Sequence, residues 1–190
     1  MLVQSFNLAK YKGVLYGAIA GSIATWSIST AIAASEVELG LPISTFYSIM
    51  GLSLGYGDFV GAAYLGFALH IVTGTILGAI TGLVSVRWAK LITNTVKAII
   101  GGVVAGIAVW AVLFMPVTVL LVLPSLDRIA TFLPLTIQET ILSSRAGEFV
   151  AGIAVSAVVF HVLWGAIFGY IASSLMKISV YRSKSSGSAT

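Results

Sequence analysis

Residues Tyr64–Gly82, YLGFALHIVTGTILGAITG, and Ser156–Ser174, SAVVFHVLWGAIFGYIASS, decide the fold. Neither stretch contains Asp, Glu, Lys or Arg, and each approaches the run of about 20 apolar residues that a helix needs to cross a hydrocarbon core of about 30 Å. When His70 is laid on His161, Gly74 falls on Gly165 and Gly78 on Gly169, so both stretches read H-x-x-x-G-x-x-x-G. Residues four apart share one helix face, so each stretch predicts a transmembrane helix carrying one histidine and a line of small residues on the same side.

Working outward, two further stretches have the same character. The four spans expected are about 13–34, 60–86, 98–123 and 149–176, none with an acidic or basic residue. The whole chain agrees with that reading. Of its 190 residues, 58% are hydrophobic and 8% charged, against about 25% charged in a typical soluble domain. Mean hydropathy is +1.07. The absence of cysteine excludes disulfides, thiolate metal sites and protein-ligated iron–sulfur clusters. A net charge of +4 brings no basic cluster or base-stacking platform with it, so nucleic acid is not an expected partner. The lipid bilayer is.

Charges sort by side of the membrane. Lys10 and Lys12 precede the first span, Arg87, Lys90 and Lys97 fill the link between the second and third, and Lys177, Arg182 and Lys184 follow the fourth. All six acids, Glu36, Glu38, Asp58, Asp127, Glu139 and Glu148, fall in the other two loops, opposed only by Arg128 and Arg145. The bias of Lys and Arg toward cytoplasmic loops predicts a multi-pass protein of the cell membrane with both termini in the cytoplasm. The first span has the basic flank and the small-residue Ala31-Ile32-Ala33 of a signal peptide. Its apolar run exceeds the 7–15 residues typical of such signals, so a retained span is expected. Trp88 beside Arg87 and Tyr181 beside Arg182 suit anchoring at the cytoplasmic interface.

The first and third spans correspond as the second and fourth do. Lys12, Gly17 and Gly21 align with Lys97, Gly102 and Gly106, and Leu41-Pro42 in one outer loop matches Leu133-Pro134 in the other. These matches, in matched order, predict a tandem duplication: repeat 1 over about 10–90 and repeat 2 over about 95–177, within one membrane domain spanning 1–190. Two spans per half make the repeats parallel, related by an axis along the membrane normal. The fold class expected is therefore all-α and polytopic: four transmembrane helices as two parallel two-helix repeats, with short interfacial helices in the two outer loops.

Each outer loop supports that last expectation. ELGLPISTFYSIMGLSLGYGD (38–58) and PSLDRIATFLPLTIQETILSSRAGE (124–148) hold an apolar segment of about ten residues after their Leu-Pro, too short to span. Such segments lie in the interface or dip back toward the bundle. Pro134 suits the first turn of one of them, Pro116 is expected to kink the third span, and the Ser-rich tail 183–190 is expected to be mobile.

Small residues recur every fourth position at Gly13, Gly17, Gly21, Thr25 and Ser29, and at Gly66, Gly74, Gly78 and Gly82 around His70. Helices in lipid gain from close backbone approach rather than from apolar burial, so Gly17, Gly21, Gly74, Gly78, Gly102, Gly106, Gly165 and Gly169 are expected packing positions. His70 and His161 are the only titratable side chains within the spans, and both are placed near mid-membrane, where polar groups face the bundle interior. Three roles are open to them. Each can donate an N–H to a carbonyl or hydroxyl of a neighbouring helix, with Thr73, Thr75 and Ser156 near in sequence. They can ligate one haem b axially, the glycines at +4 making room for the macrocycle. They can form part of a metal or proton relay, which two histidines alone underfill and which no intramembrane carboxylate completes. No catalytic constellation and no phosphate-cradling motif is present.

The order of small-residue helix, Gly40-Leu41-Pro42, Gly51 and Gly55 in a short loop, then Gly66, His70, Gly74 and Gly78, resembles a family of small, functionally uncharacterised prokaryotic membrane proteins built from such two-span units. The match covers the first half, including Gly17 and Gly21. The second half keeps Leu133-Pro134, His161, Gly165 and Gly169 without the loop glycines. The resemblance implies a fold and supplies no activity. The function expected is a non-catalytic accessory or structural subunit, self-associating or part of a larger membrane assembly such as a respiratory oxidase or membrane monooxygenase. A small transporter or channel is the alternative, and a b-type cytochrome with haem between His70 and His161 comes third.

Overall fold

A computed structural model describes residues 2–38, 40–85, 93–133, 135, 138–139 and 146–187, with backbone alone at the two ends. All regular structure among them is helical. Helix α1 (Leu2–Glu38), the short α2 (Thr45–Ser53) and α3 (Phe59–Ser85) precede the long α4 (Thr95–Ala130) and α5 (Ala146–Gly187). Four helices are long and apolar enough to cross a membrane, over Tyr11–Glu38, Phe59–Ser85, Thr95–Ala130 and Val150–Ile178. The protein is an integral membrane protein; α1, α4 and α5 outrun the spans expected for them, and α3 matches its span within one residue at each end. Once a span is nucleated, each further residue adds a backbone hydrogen bond at little cost, so α5 continues to Gly187, into the tail expected to be mobile. Arg87, Trp88, Lys90, Pro134 and Arg145 lie outside the described residues, as do the side chains of Tyr181 and Arg182.

The chain divides into two compact units, both threaded by the four long helices. The first comprises Met1–Ser27, Val72–Gly106 and Val162–Thr190. Here the glycine lines of α1 and α3 meet each other. A Cβ on Gly17 would lie 2.3 Å from Gly78 O, one on Gly21 2.4 Å from Gly74 O, and one on Gly82 2.2 Å from Gly13 O. Only residues without a side chain tolerate that approach. The α4–α5 pair is equally close, with Gly102 2.0 Å from Gly165 O and Gly169 2.2 Å from Ala98 O on the same construction. Gly106 is buried on the same helix.

The two pairs do not meet in the same register. Gly17 faces Gly78, whereas its aligned counterpart Gly102 has the carbonyl of Gly165 nearest, one turn before the aligned position Gly169. The positions matching Gly13 and Gly82 are Ala98 and Ser173, and in the second pair it is Gly169 that closes on the Ala98 carbonyl. Trp164 joins the pairs, donating Nε1–H to Thr25 Oγ1 at 2.9 Å and stacking on Phe168 with ring centroids 5.3 Å apart. Lys177 Nζ donates to Thr95 Oγ1 at 2.5 Å.

The second unit, Ile28–Ile71 and Ile107–His161, holds an apolar core. Ile49 and Leu52 of α2 pack with Ala62 of α3 and with Val122, Leu126, Ile129, Ala130 and Leu133 around the end of α4. Arg128 donates to the carbonyl of Tyr56 and so ties the α2–α3 turn to α4. Gly40 and Gly55, at φ +68° and +101°, supply left-handed turns before and after α2 that a side chain would strain.

Around Pro116 the structure differs from a simple kink. Two π-helical turns, Trp110–Phe114 and Thr118–Val122, flank the three-residue α segment Met115–Val117. Pro116 has no N–H for the i−4 carbonyl, and widening the helix on both sides absorbs the mismatch within a continuous helix.

Candidate functional site

The site lies in the second unit, where α2 folds back along α3. A Cβ on Gly51 would sit 2.2 Å from Ala62 O, and one on Gly66 2.0 Å from Tyr47 O. As positions 47 and 51 of α2 meet 66 and 62 of α3, the helices run antiparallel in backbone contact. Of the two arrangements open to the loop, this is the folded-back one, with α2 packed against α3.

Glu36 fixes the start of α2. Its side chain is 0% exposed, and its two oxygens accept N–H bonds from Ser44 and Phe46, each at 2.7 Å. A carboxylate placed over the unsatisfied N–H groups of a helix start satisfies them and complements the helix dipole. Ser44, at φ +73°, is the one described non-glycine residue in the left-handed region, and its own side chain caps nothing. Ser48, also buried, donates to the carbonyl of Ser44 at 2.9 Å and lies 3.0 Å from that of Phe59.

One turn into α2, Tyr47 points at the histidine. Its ring is 5.4 Å from the His70 ring, tilted by 48°, and 5.3 Å edge-on from Phe67. Tyr47 is 8% exposed, and its Oη makes no hydrogen bond of ordinary geometry among the described residues, although the Ser29 hydroxyl lies beside it. Burial pushes the Tyr47 phenol up from its ordinary value, the Ser29 hydroxyl partly offsets this, and the Glu36 carboxylate adds to it. Tyr47 is therefore a neutral O–H at physiological pH. His70 Nε2 is likewise buried and without a partner among the described residues.

His161 has a different setting. Its Nδ1 lies 2.7 Å from the carbonyl of Ala157, which can only accept, so Nδ1 carries the proton and Nε2 the lone pair. The partner is on its own helix, which corrects the expectation of a neighbouring one: at i−4 the carbonyl is reached without a second helix. The Phe114 ring packs edge-on at 5.4 Å. Phe114 ends the first π turn of α4, which begins at Trp110, itself donating Nε1–H to Ala154 O at 3.1 Å.

The glycines at +4 do not leave a slot for a macrocycle. A Cβ on Gly74 would meet Thr25 Oγ1 at 1.9 Å, and one on Gly165 would meet Gly102 O at 2.1 Å, so neighbouring helices fill those positions. Among the described residues no group of three or more His, Asp or Glu is placed to hold a metal ion. The structure also adds what the sequence left open: Glu36, placed in an outer loop, is a buried carboxylate, and Tyr47, Ser29 and Ser48 are buried polar groups. The available signal was an acid followed by the Gly40-Leu41-Pro42 turn and then an apolar helix. Together these features define an all-helical integral membrane protein with a buried polar cluster at one histidine. No family model, no curated protein and no solved structure matches the chain.

Proposed function

We propose that the chain is a non-catalytic membrane subunit that associates with copies of itself or with a larger membrane assembly, of the respiratory oxidase or membrane monooxygenase type. One observation carries this reading. In the most apolar windows of α3, α4 and α5 only 17% of residues are buried inside the chain, against 44% in α1. The outward faces carry small residues as well as large ones: among the described residues Gly101 and Gly152 have nothing within 4 Å, while Val112 is 77% exposed and Leu120 76%. Small residues on a lipid-facing surface permit a second helix to approach its backbone closely, which is how helices associate in membranes.

The parallel-repeat reading is part of the proposal, supported by the α1–α3 and α4–α5 pairs each closing on aligned glycines. So are cytoplasmic termini, supported by the charge distribution. The resemblance of the first half to small prokaryotic membrane proteins fits the same two-span unit and supplies no role. Native electrophoresis after mild detergent extraction tests the association: a species of two or more copies, or a heteromeric complex, is expected, and Gly101→Leu with Gly152→Leu should dissociate it. A monodisperse lone monomer refutes the reading. Because the chain has no cysteine, topology is tested directly. Thr131→Cys should react with an impermeant maleimide in intact cells, and Ser183→Cys should not.

A further inference from the structure

We infer that α4 and α5 part and rejoin at their Thr95–Ser173 end, with the Ser173 hydroxyl working against closure and the Lys177–Thr95 bond holding it. Residues 165, 169, 173 and 177 share one face of α5. Gly165 closes on Gly102 O, Gly169 closes on Ala98 O, and Lys177 Nζ reaches Thr95 Oγ1. Ser173 therefore points into the same seam, level with Asn94 by that count. It is 0% exposed, and its hydroxyl has no partner among the described residues. Its neighbour Ser174 bonds the carbonyl four residues back at 2.9 Å, as a helical serine can, and Ser173 does not.

Closing the seam over Ser173 strips its hydroxyl of water and returns no bond, a cost borne only in the closed state. In the α1–α3 pair the aligned position is Gly82, which meets Gly13 O and buries no side-chain polar atom. The two pairs therefore differ in how they end: one closes on glycine, the other on an orphaned hydroxyl. Parting needs no unfolding. Asn94 Oδ1 accepts from Lys97 N at 3.1 Å, so the first turn of α4 is capped from its own chain segment, and α5 runs on as helix to Gly187. Nearer the middle, the backbone contact of Gly102 with Gly165 limits the parting to the last turns. What holds the end shut is the Lys177–Thr95 bond, made at the surface, where water replaces it at little cost. Helix ends of low local stability are where such motions arise. An open end presents Ser173, Thr95 and Lys177 together to water or to polar headgroups.

Because the chain has no cysteine, spin labels report on each pair separately in the full chain in nanodiscs. Val96→Cys with Ile178→Cys, both at exposed positions, should give a short distance and a minor longer one. Thr95→Val should enlarge the longer component about 2–10-fold, and Ser173→Ala should shrink it about fivefold or more. Leu15→Cys with Leu83→Cys, exposed on α1 and α3, should give one distance. The inference is overturned if the longer component is absent even in Thr95→Val, if Ser173→Ala leaves it unchanged or enlarges it, or if the α1–α3 labels part equally. A fall in Tm for Ser173→Ala would mean that the hydroxyl is satisfied in the closed seam, and overturns it too.

Discussion

Replacing Glu36 by alanine removes the two acceptors that start α2. The wild-type carboxylate takes N–H bonds from Ser44 and Phe46, both at 2.7 Å, from a side chain with no exposed surface. Hydrogen bonds to an ionised group are worth about 1.5–3 kcal/mol each, so the gross interaction is about 3–6 kcal/mol. Against this stands the desolvation of the carboxylate, several kcal/mol in a protein interior. The net loss in Glu36→Ala should be about 1–3 kcal/mol, overlapping the 0.5–2 kcal/mol seen for ordinary helix caps. For a chain of this size that corresponds to a fall in Tm of roughly 2–12 °C.

Amide exchange locates the loss. The Ser44 and Phe46 amides should exchange roughly 5–150 times faster in Glu36→Ala, at tenfold per 1.4 kcal/mol, while amides around Gly17 and Gly78 keep their protection. Glu36→Gln sharpens the test, because its single carbonyl serves one N–H and its amide confronts the other. It should recover no more than half of the loss. If Glu36→Ala unfolds at the wild-type temperature with unchanged exchange at Ser44 and Phe46, the carboxylate does not hold α2 and the account of the site's entrance fails.

Three other comparisons probe the rest of the fold. Gly78→Ala places a Cβ 2.4 Å from Gly17 O and should cost about 1–3 kcal/mol by overpacking, whereas Gly101→Ala, with nothing within 4 Å, should be neutral or gain up to about 1 kcal/mol of helix propensity; chemical unfolding of both variants compares them. In a double-mutant cycle of Trp164→Phe with Thr25→Val, the bond at 2.9 Å should show as a coupling of about 0.5–1.5 kcal/mol, and strict additivity would deny it. Ser44→Gly relieves a left-handed serine whose side chain makes no cap and should raise stability by about 1 kcal/mol, while Ser44→Val should lower it.

The spans were legible because hydropathy acts one residue at a time: a run without charges excludes water whatever lies beside it. The glycine lines were legible for a related reason, since a periodic absence of side chain marks where another backbone can come. Gly17 and Gly21 do meet Gly78 and Gly74. What stayed hidden depends on direction and partner. Glu36 looked like a loop acid because its two donors lie eight and ten residues on, beyond a turn through Gly40, and only the fold-back of α2 brings them to it. That fold-back is set by Gly51 against Ala62 and Gly66 against Tyr47, pairings that neither segment declares alone. Pro116 announced a missing N–H but not that α4 would answer it with two π turns.

The pair of histidines shows how far a shared motif reaches. H-x-x-x-G-x-x-x-G puts both rings beside glycines that neighbouring helices fill, and that part of their surroundings is common to both halves. Their chemistry then diverges with what each half adds. His161 meets Phe114, delivered by a π turn, and has Nδ1 settled on Ala157 of its own helix. His70 meets Tyr47, delivered by α2, and its buried Nε2 makes no hydrogen bond among the described residues. The aligned glycines carry packing, which tolerates repetition; the polar site is built from α2, whose loop glycines the second half lacks. A change confined to α2 should therefore alter the surroundings of His70 and leave the Phe114–His161 contact in place, so that two histidines equivalent in sequence become separable by experiment.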